Sequence, residues 1–184
     1  MKLVSAKFKG LKGIYSKSGI KEIFIDFTKC KHNIVYIVGK NGSGKSTLIN
    51  VLNPMPDIPS MYIDKEPGSK EIVYWDNGIY YTITMVYPVV ARTGIRMGTK
   101  ASFVRTMNGV SEELNPNGTL NSYKDVLYEV MNIDPTFVML SHISTEDRGI
   151  VEKKPADRKK LVASLLDSIE AYNSMYKTLN KKSS

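Results

Sequence analysis

The sequence predicts an α/β fold with a mixed sheet, an antiparallel β lobe and a C-terminal helix that begins a coiled coil. An apolar run at residues 33–38, typical of a strand buried on both faces, leads into a glycine-rich loop. Asp76-Asn77-Gly78 lies between two segments of strand character and is a strong hairpin signal. After Pro155, a regular apolar spacing continues without glycine or proline.

The first sheet is predicted from the N-terminal third of the chain. Residues 1–9 and 22–28 alternate as strands do, and the segment between them, rich in glycine, serine and lysine, reads as a loop. The buried strand at 33–38 would belong to the same sheet. A helix should begin near Ser46 and end early, because Pro54 interrupts it.

The antiparallel lobe is predicted from residues 71–109. Two strands flank the turn at 76–78, and a third candidate at 102–109 ends in a second Asn-Gly turn. We expect these strands to form a layer distinct from the first sheet. A loop at 57–70 precedes them, and residues 122–131 follow with helical periodicity.

The C-terminal segment has the spacing of a coiled-coil helix. Its apolar positions recur at intervals of three and four residues: Val162, Leu165, Ile169, Tyr172, Tyr176 and Leu179. The seam is short for a coiled coil, so an ordinary core helix stays an alternative. We therefore divide the chain into an N-terminal lobe at 1–154 and the start of a stalk helix at 155–184.

The composition indicates one soluble domain with unevenly distributed charge. The chain has 184 residues, 42% of them hydrophobic. Residues 1–53 hold ten lysines against Glu22 and Asp26, which equals the net charge of +8 for the whole chain. Such a field attracts nucleotide phosphates or a nucleic-acid backbone, although surface lysines also serve solubility alone.

The sequence also predicts a cytoplasmic location. It contains no apolar stretch long enough to span a membrane and no secretory signal at the N-terminus. The single cysteine, Cys30, excludes an intrachain disulfide and fits a reducing cytosol. We expect Cys30 to be a small buried side chain at the edge of a strand or turn.

A phosphate-binding pattern, G-x-x-x-x-G-K-S/T, is matched by residues 39–46 at every required position. Glycine lets the backbone curl so that consecutive N–H groups face the phosphates. Lys45 would reach the β- and γ-phosphates as the catalytic lysine, and Ser46 would bind Mg²⁺. The other predicted nucleotide contacts of this loop are Asn41, Gly42, Ser43, Gly44 and Thr47.

The acidic residue that such a site needs for Mg²⁺ or water is not recognisable in the sequence. After Ser46 no run of four apolar residues leads into Asp-Glu, and Asp64 and Asp134 are single carboxylates beside loop-forming residues. An L-S-G-G signature is also absent. The guanine-specific N-K-x-D is absent too, which argues against a GTPase.

Taken in order, these elements resemble the N-terminal half of an SbcC-type ATPase. This is the DNA double-strand-break repair branch of the structural-maintenance-of-chromosomes (SMC) and ABC superfamily, and it includes recombination endonuclease subunits of tailed phages. Residues 2–11 resemble its opening strand, and Gly39–Thr47 its version of the loop, including Asn41. Residues 71–109 resemble the family's antiparallel lobe, residues 137–150 its γ-phosphate loop, and residues 155–179 the base of its stalk.

The resemblance implies ATP as the nucleotide and further residues in contact with it. The turn after the first strand offers Lys9, Gly10 and Lys12. The γ-phosphate loop of the family usually carries a glutamine, which this chain lacks entirely, so that His142 or Ser144 would stand there. A structural, hydrogen-bonded role is the alternative for His142.

The resemblance also implies partners. In the family, the acidic residues and the signature lie in a C-terminal half beyond the coiled coil, and two complete heads sandwich two ATP molecules. We therefore expect the C-terminal half of the same ATPase, a second head in a homodimer and an SbcD-type nuclease. The chain would be one piece of an enzyme in a bacterial cell, encoded by the bacterium or by a phage, and would hydrolyse almost no ATP alone.

Double-stranded DNA is a further implied partner, bound without sequence specificity and mostly through its phosphates. No acidic residue occurs between Asp76 and Glu112. The basic residues of that interval are the expected DNA contacts: Arg92, Arg96, Lys100 and Arg105. Tyr87 and Phe103 lie close to this run in the sequence, and we expect them to pack in the core.

Two other classes of protein stay open. One is another ABC-type DNA ATPase, of the RecF, RecN or overcoming-lysogenization-defect kind. The other is a small P-loop nucleotide kinase or nucleotide-binding module. A kinase of this kind should turn over nucleotide without a second half.

Overall fold

The computed structural model describes residues 1–30, 35–131, 154–156 and 159. The chain forms two compact units, Met1–Asn132 and Ile133–Ser184. The described elements all belong to the first unit. In chain order they are β1 (Lys2–Lys9), α1 (Lys12–Ser18), β2 (Glu22–Asp26), α2 (Lys45–Val51), a 3₁₀ helix (Pro59–Met61), β3 (Gly68–Asp76), β4 (Ile79–Tyr87), β5 (Lys100–Met107), β6 (Val110–Glu113) and α3 (Leu120–Met131).

The six strands form one sheet in the order β2-β1-β3-β4-β5-β6, and all neighbours are antiparallel. For the described residues, the prediction of a mixed sheet with a separate antiparallel lobe is therefore wrong. β1 pairs with β3 from Lys2 opposite Trp75 to Lys9 opposite Ser69, which joins the N-terminal strands to the hairpin. This long-range pairing depends on matching buried faces, which local signals do not reveal.

Both Asn-Gly turns lie where the sequence predicts them. Asn77 (φ 47°) and Gly78 (φ 86°) connect β3 to β4, and Asn108 (φ 51°) and Gly109 (φ 79°) connect β5 to β6. Two consecutive left-handed residues make the tight turn that matches the twist of antiparallel strands. The three predicted strands of this region and the helix α3 are confirmed, and β6 extends the sheet beyond them.

The segment between β1 and β2 is a helix, α1, instead of the predicted loop. It ends at Gly19, whose left-handed conformation (φ 70°) brings its N–H within 2.8 Å of the carbonyl of Tyr15. Ile14 is the buried residue of this helix. Because glycine and serine have low helix propensity, we attribute α1 to the burial of Ile14 and not to composition.

The predicted buried strand at 33–38 is not formed in its described part. Residues 35–38 belong to no strand, and Tyr36 and Val38 are 83% and 91% exposed. No described strand pairs with this segment, so no described part of the sheet covers its apolar side chains. The prediction for Cys30 is also wrong, because this residue is exposed.

The core lies on one face of the sheet. Ile72, Ile83 and Phe103 are fully buried and, from their register and the alternation of side chains along strands, point to the same side. Tyr123 of α3 packs edge-on against Phe103, with ring centroids 6.1 Å apart. Tyr87 is 1% exposed, and this confirms the prediction that Tyr87 and Phe103 are core residues.

A buried ion pair, the Lys70–Asp57 anchor, fixes the segment after α2 to the sheet. The ammonium of Lys70 donates to the carboxylate of Asp57 and to the carbonyl of Met55, both at 2.7 Å. The hydroxyl of Tyr62 donates to the other carboxylate oxygen of Asp57 at 2.6 Å. Burial raises the pKa of Asp57 and lowers the pKa of Lys70, so these hydrogen bonds offset the cost of removing both charges from water.

Several predictions fall wholly or partly outside the described residues. The heptad seam from Val162 to Leu179 lies outside them, as do His142 and Ser144. In the second unit, Pro155, Ala156 and Lys159 have helical backbone. The predicted domain boundary between residues 154 and 155 stays a prediction. Among the described helices, none has the length and apolar character to cross a membrane.

Candidate nucleotide-binding site

The glycine loop, Gly39–Thr47, carries the predicted phosphate contacts and leads into α2. Lys45 is the first residue of α2, and its side chain turns back over the loop. Its ammonium donates to the carbonyl of Gly39 at 2.8 Å and to that of Lys40 at 2.9 Å. The charged end of Lys45 therefore lies against the curve of the loop, where a phosphate held by the loop would be within its reach.

Gly44 makes the turn from the loop into the helix possible. Its φ of 88° is left-handed, and a β-carbon at this position would stand 2.5 Å from Cγ1 of Ile14. A larger residue would meet both a conformational penalty and a steric clash. The glycine that the pattern requires thus also lets α1 lie directly against the loop, a contact that the sequence analysis missed.

The backbone donors at the start of α2 fit a phosphate group. Within the described residues, the N–H groups of Lys45, Ser46 and Thr47 have no hydrogen-bond acceptor, and no side chain caps the helix. Helix-start N–H groups of this kind are satisfied by water, side chains or ligands, and they favour anions. Among the other predicted contacts, the N–H of Ser43 donates to the carbonyl of Lys40 at 3.2 Å.

The described residues offer fewer ligands for Mg²⁺ than donors for phosphates. The predicted Mg²⁺ ligand, Ser46, is exposed. No group of three or more His, Cys, Asp or Glu side chains that could hold a metal occurs in the described part of the chain. Asp64 accepts a hydrogen bond at 2.8 Å from Lys12, itself a predicted nucleotide contact, and Asp134 lies outside the described residues. The described residues therefore supply donors for phosphates but no carboxylate cluster for a metal.

The turn after β1 uses its own polar groups for protein contacts. The N–H of Gly10 donates to the carbonyl of Lys21, and its carbonyl accepts from the N–H of Ile63, both at 2.7 Å. Lys9, the last residue of β1, is exposed and lies opposite Glu22 in the sheet. A nucleotide contact from Lys9, Gly10 or Lys12 stays a prediction.

Two of the four predicted DNA contacts are bonded within the protein. The guanidinium of Arg96 donates to the carbonyls of Ile63 at 2.5 Å and Tyr87 at 3.3 Å. Arg105 forms an ion pair with Glu112 at 2.5 Å. The sequence contains the signal for this pair, because a two-residue Asn-Gly turn at 108–109 places residue 105 opposite residue 112.

The other two predicted DNA contacts, Arg92 and Lys100, are exposed. Neither forms an ion pair with a described residue. They are therefore the cations of this set that remain available to a polyanion.

Comparison with known proteins gives a likeness of fold. No protein-family model and no curated protein matches the sequence. Among solved structures, the fold is similar to one from work on the ATP-driven dimerization and DNA-stimulated activation of SMC ATPases. The TM-score is 0.53 at 17% identity, and the match covers 90% of this chain and 99% of the other. The chain therefore has a fold similar to that of an SMC ATPase domain.

Proposed function

We propose that this chain is the ATP-binding N-terminal half of an SbcC-like ATPase that acts in DNA repair or recombination. The glycine loop carries the proposal. It matches the phosphate-binding pattern in full, the ammonium of Lys45 lies against its curve, and the N–H groups of Lys45, Ser46 and Thr47 have no acceptor among the described residues. The likeness to an SMC ATPase fold supports the same class of protein.

The surface beside the glycine loop supports the need for a second half. Val35, Tyr36 and Val38 precede the loop and are 47%, 83% and 91% exposed, and Ile49 of α2 is 44% exposed. Apolar side chains gain free energy when another surface removes them from water. A C-terminal half of the same ATPase would cover them and supply the carboxylate for Mg²⁺ that the described residues do not offer.

ATP would then act by joining two such heads. Lys45 and the loop would hold the phosphates, Ser46 would bind Mg²⁺, and the second head of a homodimer would complete the site. Closure would change the access of DNA to an SbcD-type nuclease docked near residues 155–179, and hydrolysis would reopen the heads. The nuclease chemistry would belong to that partner.

We propose fewer direct DNA contacts than the four that the sequence predicts. Arg92 and Lys100 would contact phosphates directly, whereas Arg96 and Arg105 would first have to leave their protein partners. Each phosphate contact steepens the fall of log K with log salt by about 0.9. Changing Arg92 and Lys100 to glutamate should therefore weaken duplex binding and flatten its salt dependence.

Nucleotide binding is tested by titrating Mg-ATP into the full chain and its Lys45→Ala variant. Loss of the charge-assisted contacts of this ammonium should weaken binding about 100-fold. Lys29→Ala removes another exposed lysine of the basic N-terminal segment, outside the loop, and should bind as the wild type does. Absence of ATP binding by the wild type, or equal binding by Lys45→Ala, would contradict the proposal.

A further inference from the structure

The helix α1 is in close contact with the glycine loop at two positions. A β-carbon on Gly13 would stand 2.3 Å from the hydroxyl oxygen of Thr47. A β-carbon on Gly44 would stand 2.5 Å from Cγ1 of Ile14. Both distances are shorter than any real side chain tolerates, so glycine on each side lets the helix and the loop touch. α1 therefore packs directly against the loop and the start of α2.

Lys17 lies on the side of α1 that faces the loop. It follows Gly13 by four residues and Ile14 by three, and residues at these spacings share one face of a helix. Its Cε, the last carbon before the ammonium, lies 3.7 Å from the place where a β-carbon would stand on Gly42. The ammonium of Lys17 is thus one bond beyond a carbon that would be in van der Waals contact with a side chain at Gly42.

Within residues 10–21, the lysines other than Lys17 have carboxylate partners. Lys12 pairs with Asp64 and Lys21 with Glu66, each at 2.8 Å. Lys17 is exposed and pairs with no carboxylate among the described residues. Within residues 10–21 it is therefore the lysine whose charge no described carboxylate compensates.

We propose that Lys17 is a second phosphate-contacting lysine, which donates from α1 to the phosphates held in the glycine loop. The proposal rests on the proposed function and adds a residue that the phosphate-binding pattern does not contain. An ammonium on a four-carbon stem can turn its three donors toward a new acceptor without moving the helix. Lys45 would approach the phosphates from α2, and Lys17 from α1, beside Gly42.

The test compares Mg-ATP affinities of the wild-type chain, Lys17→Gln and Lys17→Glu at several salt concentrations. We expect Lys17→Gln to bind about tenfold more weakly and Lys17→Glu more weakly still, because one charge-assisted contact is lost and then reversed. The difference between wild type and Lys17→Gln should shrink as salt rises, since an exposed charge is screened. A residue that only supports the helix would not change the salt dependence.

Lys21→Gln is the matched control, since it removes a lysine of the same segment that is paired with Glu66 and lies outside the loop. It should bind Mg-ATP as the wild type does, and unchanged thermal midpoints would show that all variants fold. Unchanged affinity in Lys17→Gln, together with weakened binding in Lys45→Ala, would overturn the role of Lys17 alone. Absence of ATP binding by the wild type would instead overturn the proposed function.

Discussion

The buried face of the sheet and the segment before the glycine loop contain similar apolar residues in opposite surroundings. Ile72 and Ile83 are completely buried, whereas Tyr36 and Val38 are the most exposed of the large hydrophobic side chains described. Even the charges of the core are compensated, because every polar atom of the Lys70–Asp57 anchor has a hydrogen-bond partner. The loop segment instead has exposed apolar side chains and backbone donors that find no acceptor among the described residues.

These opposite surroundings indicate that the loop segment, and not the sheet, depends on a ligand or another protein surface. Burial of apolar surface is the main source of folding free energy, so the sheet should be stable through its own contacts. The segment at 35–38 gains little from its present surroundings. We expect substitutions in the sheet to change stability and substitutions at the loop to change binding.

Replacement of Lys70 by methionine should give the largest loss of stability. The change keeps most of the volume of the side chain but leaves the carboxylate of Asp57 buried without its charged partner. Removing one member of a buried ion pair costs about 3–5 kcal/mol in free energy of unfolding. Chemical denaturation of the wild type and Lys70→Met measures this difference.

An exposed lysine provides the control for the Lys70–Asp57 anchor. Lys12 forms its ion pair with Asp64 at 2.8 Å, close to the 2.7 Å of the anchor, but both side chains are more than half exposed. Lys12→Met should therefore leave the denaturation midpoint nearly unchanged. Equal effects of the two substitutions would refute the claim that burial makes the anchor important.

The same valine-to-alanine substitution should lower the free energy of unfolding by different amounts in the two regions. Val51, at the end of α2, is fully buried, and Val38 is 91% exposed. Val51→Ala should lower the free energy of unfolding by about 2 kcal/mol, from lost burial and the cavity left behind. Val38→Ala should stay within about 0.5 kcal/mol of the wild type. A loss at Val38 as large as that at Val51 would mean that the segment at 35–38 is buried in the folded protein.

The smallest expected effect is a loss of stability in acid that arises from the carboxylate of Glu113. Partial burial acts to raise the pKa of Glu113, but hydrogen bonds from the Ser102 hydroxyl and from the N–H groups of Phe103 and Asn115 lower it overall. The carboxylate therefore contributes stability above its unfolded pKa, and this contribution is lost as pH falls through the folded pKa.

Denaturation midpoints of the wild type and Glu113→Gln at several pH values measure that contribution. The wild type should be the more stable protein at neutral pH, and the gap should narrow progressively in acid. A gap that stays constant from neutral to strongly acid pH would show that the charge of Glu113 is not the cause.

The features that were predictable from the sequence are those encoded by neighbouring residues. Asn77-Gly78 specifies a turn by local conformation, and the glycine loop is defined by its own spacing. Lys70 was not predictable as a core residue, because its burial depends on Asp57 on another segment. The contact of Ile14 with Gly44 likewise exists only after α1 and α2 have packed together. The prediction that the apolar run ending at Val38 is buried was wrong for the described residues 35–38. Hydropathy contains no information about which strands are available to cover such a run.

The central claim is that this chain holds one incomplete half of an ATPase site. The most direct measurement is ATP turnover by the chain alone and after co-expression with the C-terminal half of the same ATPase. We predict that the chain alone binds ATP with almost no hydrolysis, and that the joined halves hydrolyse ATP in a reaction abolished by Lys45→Ala. Full ATPase activity of the chain alone, lost in Lys45→Ala, would contradict the claim.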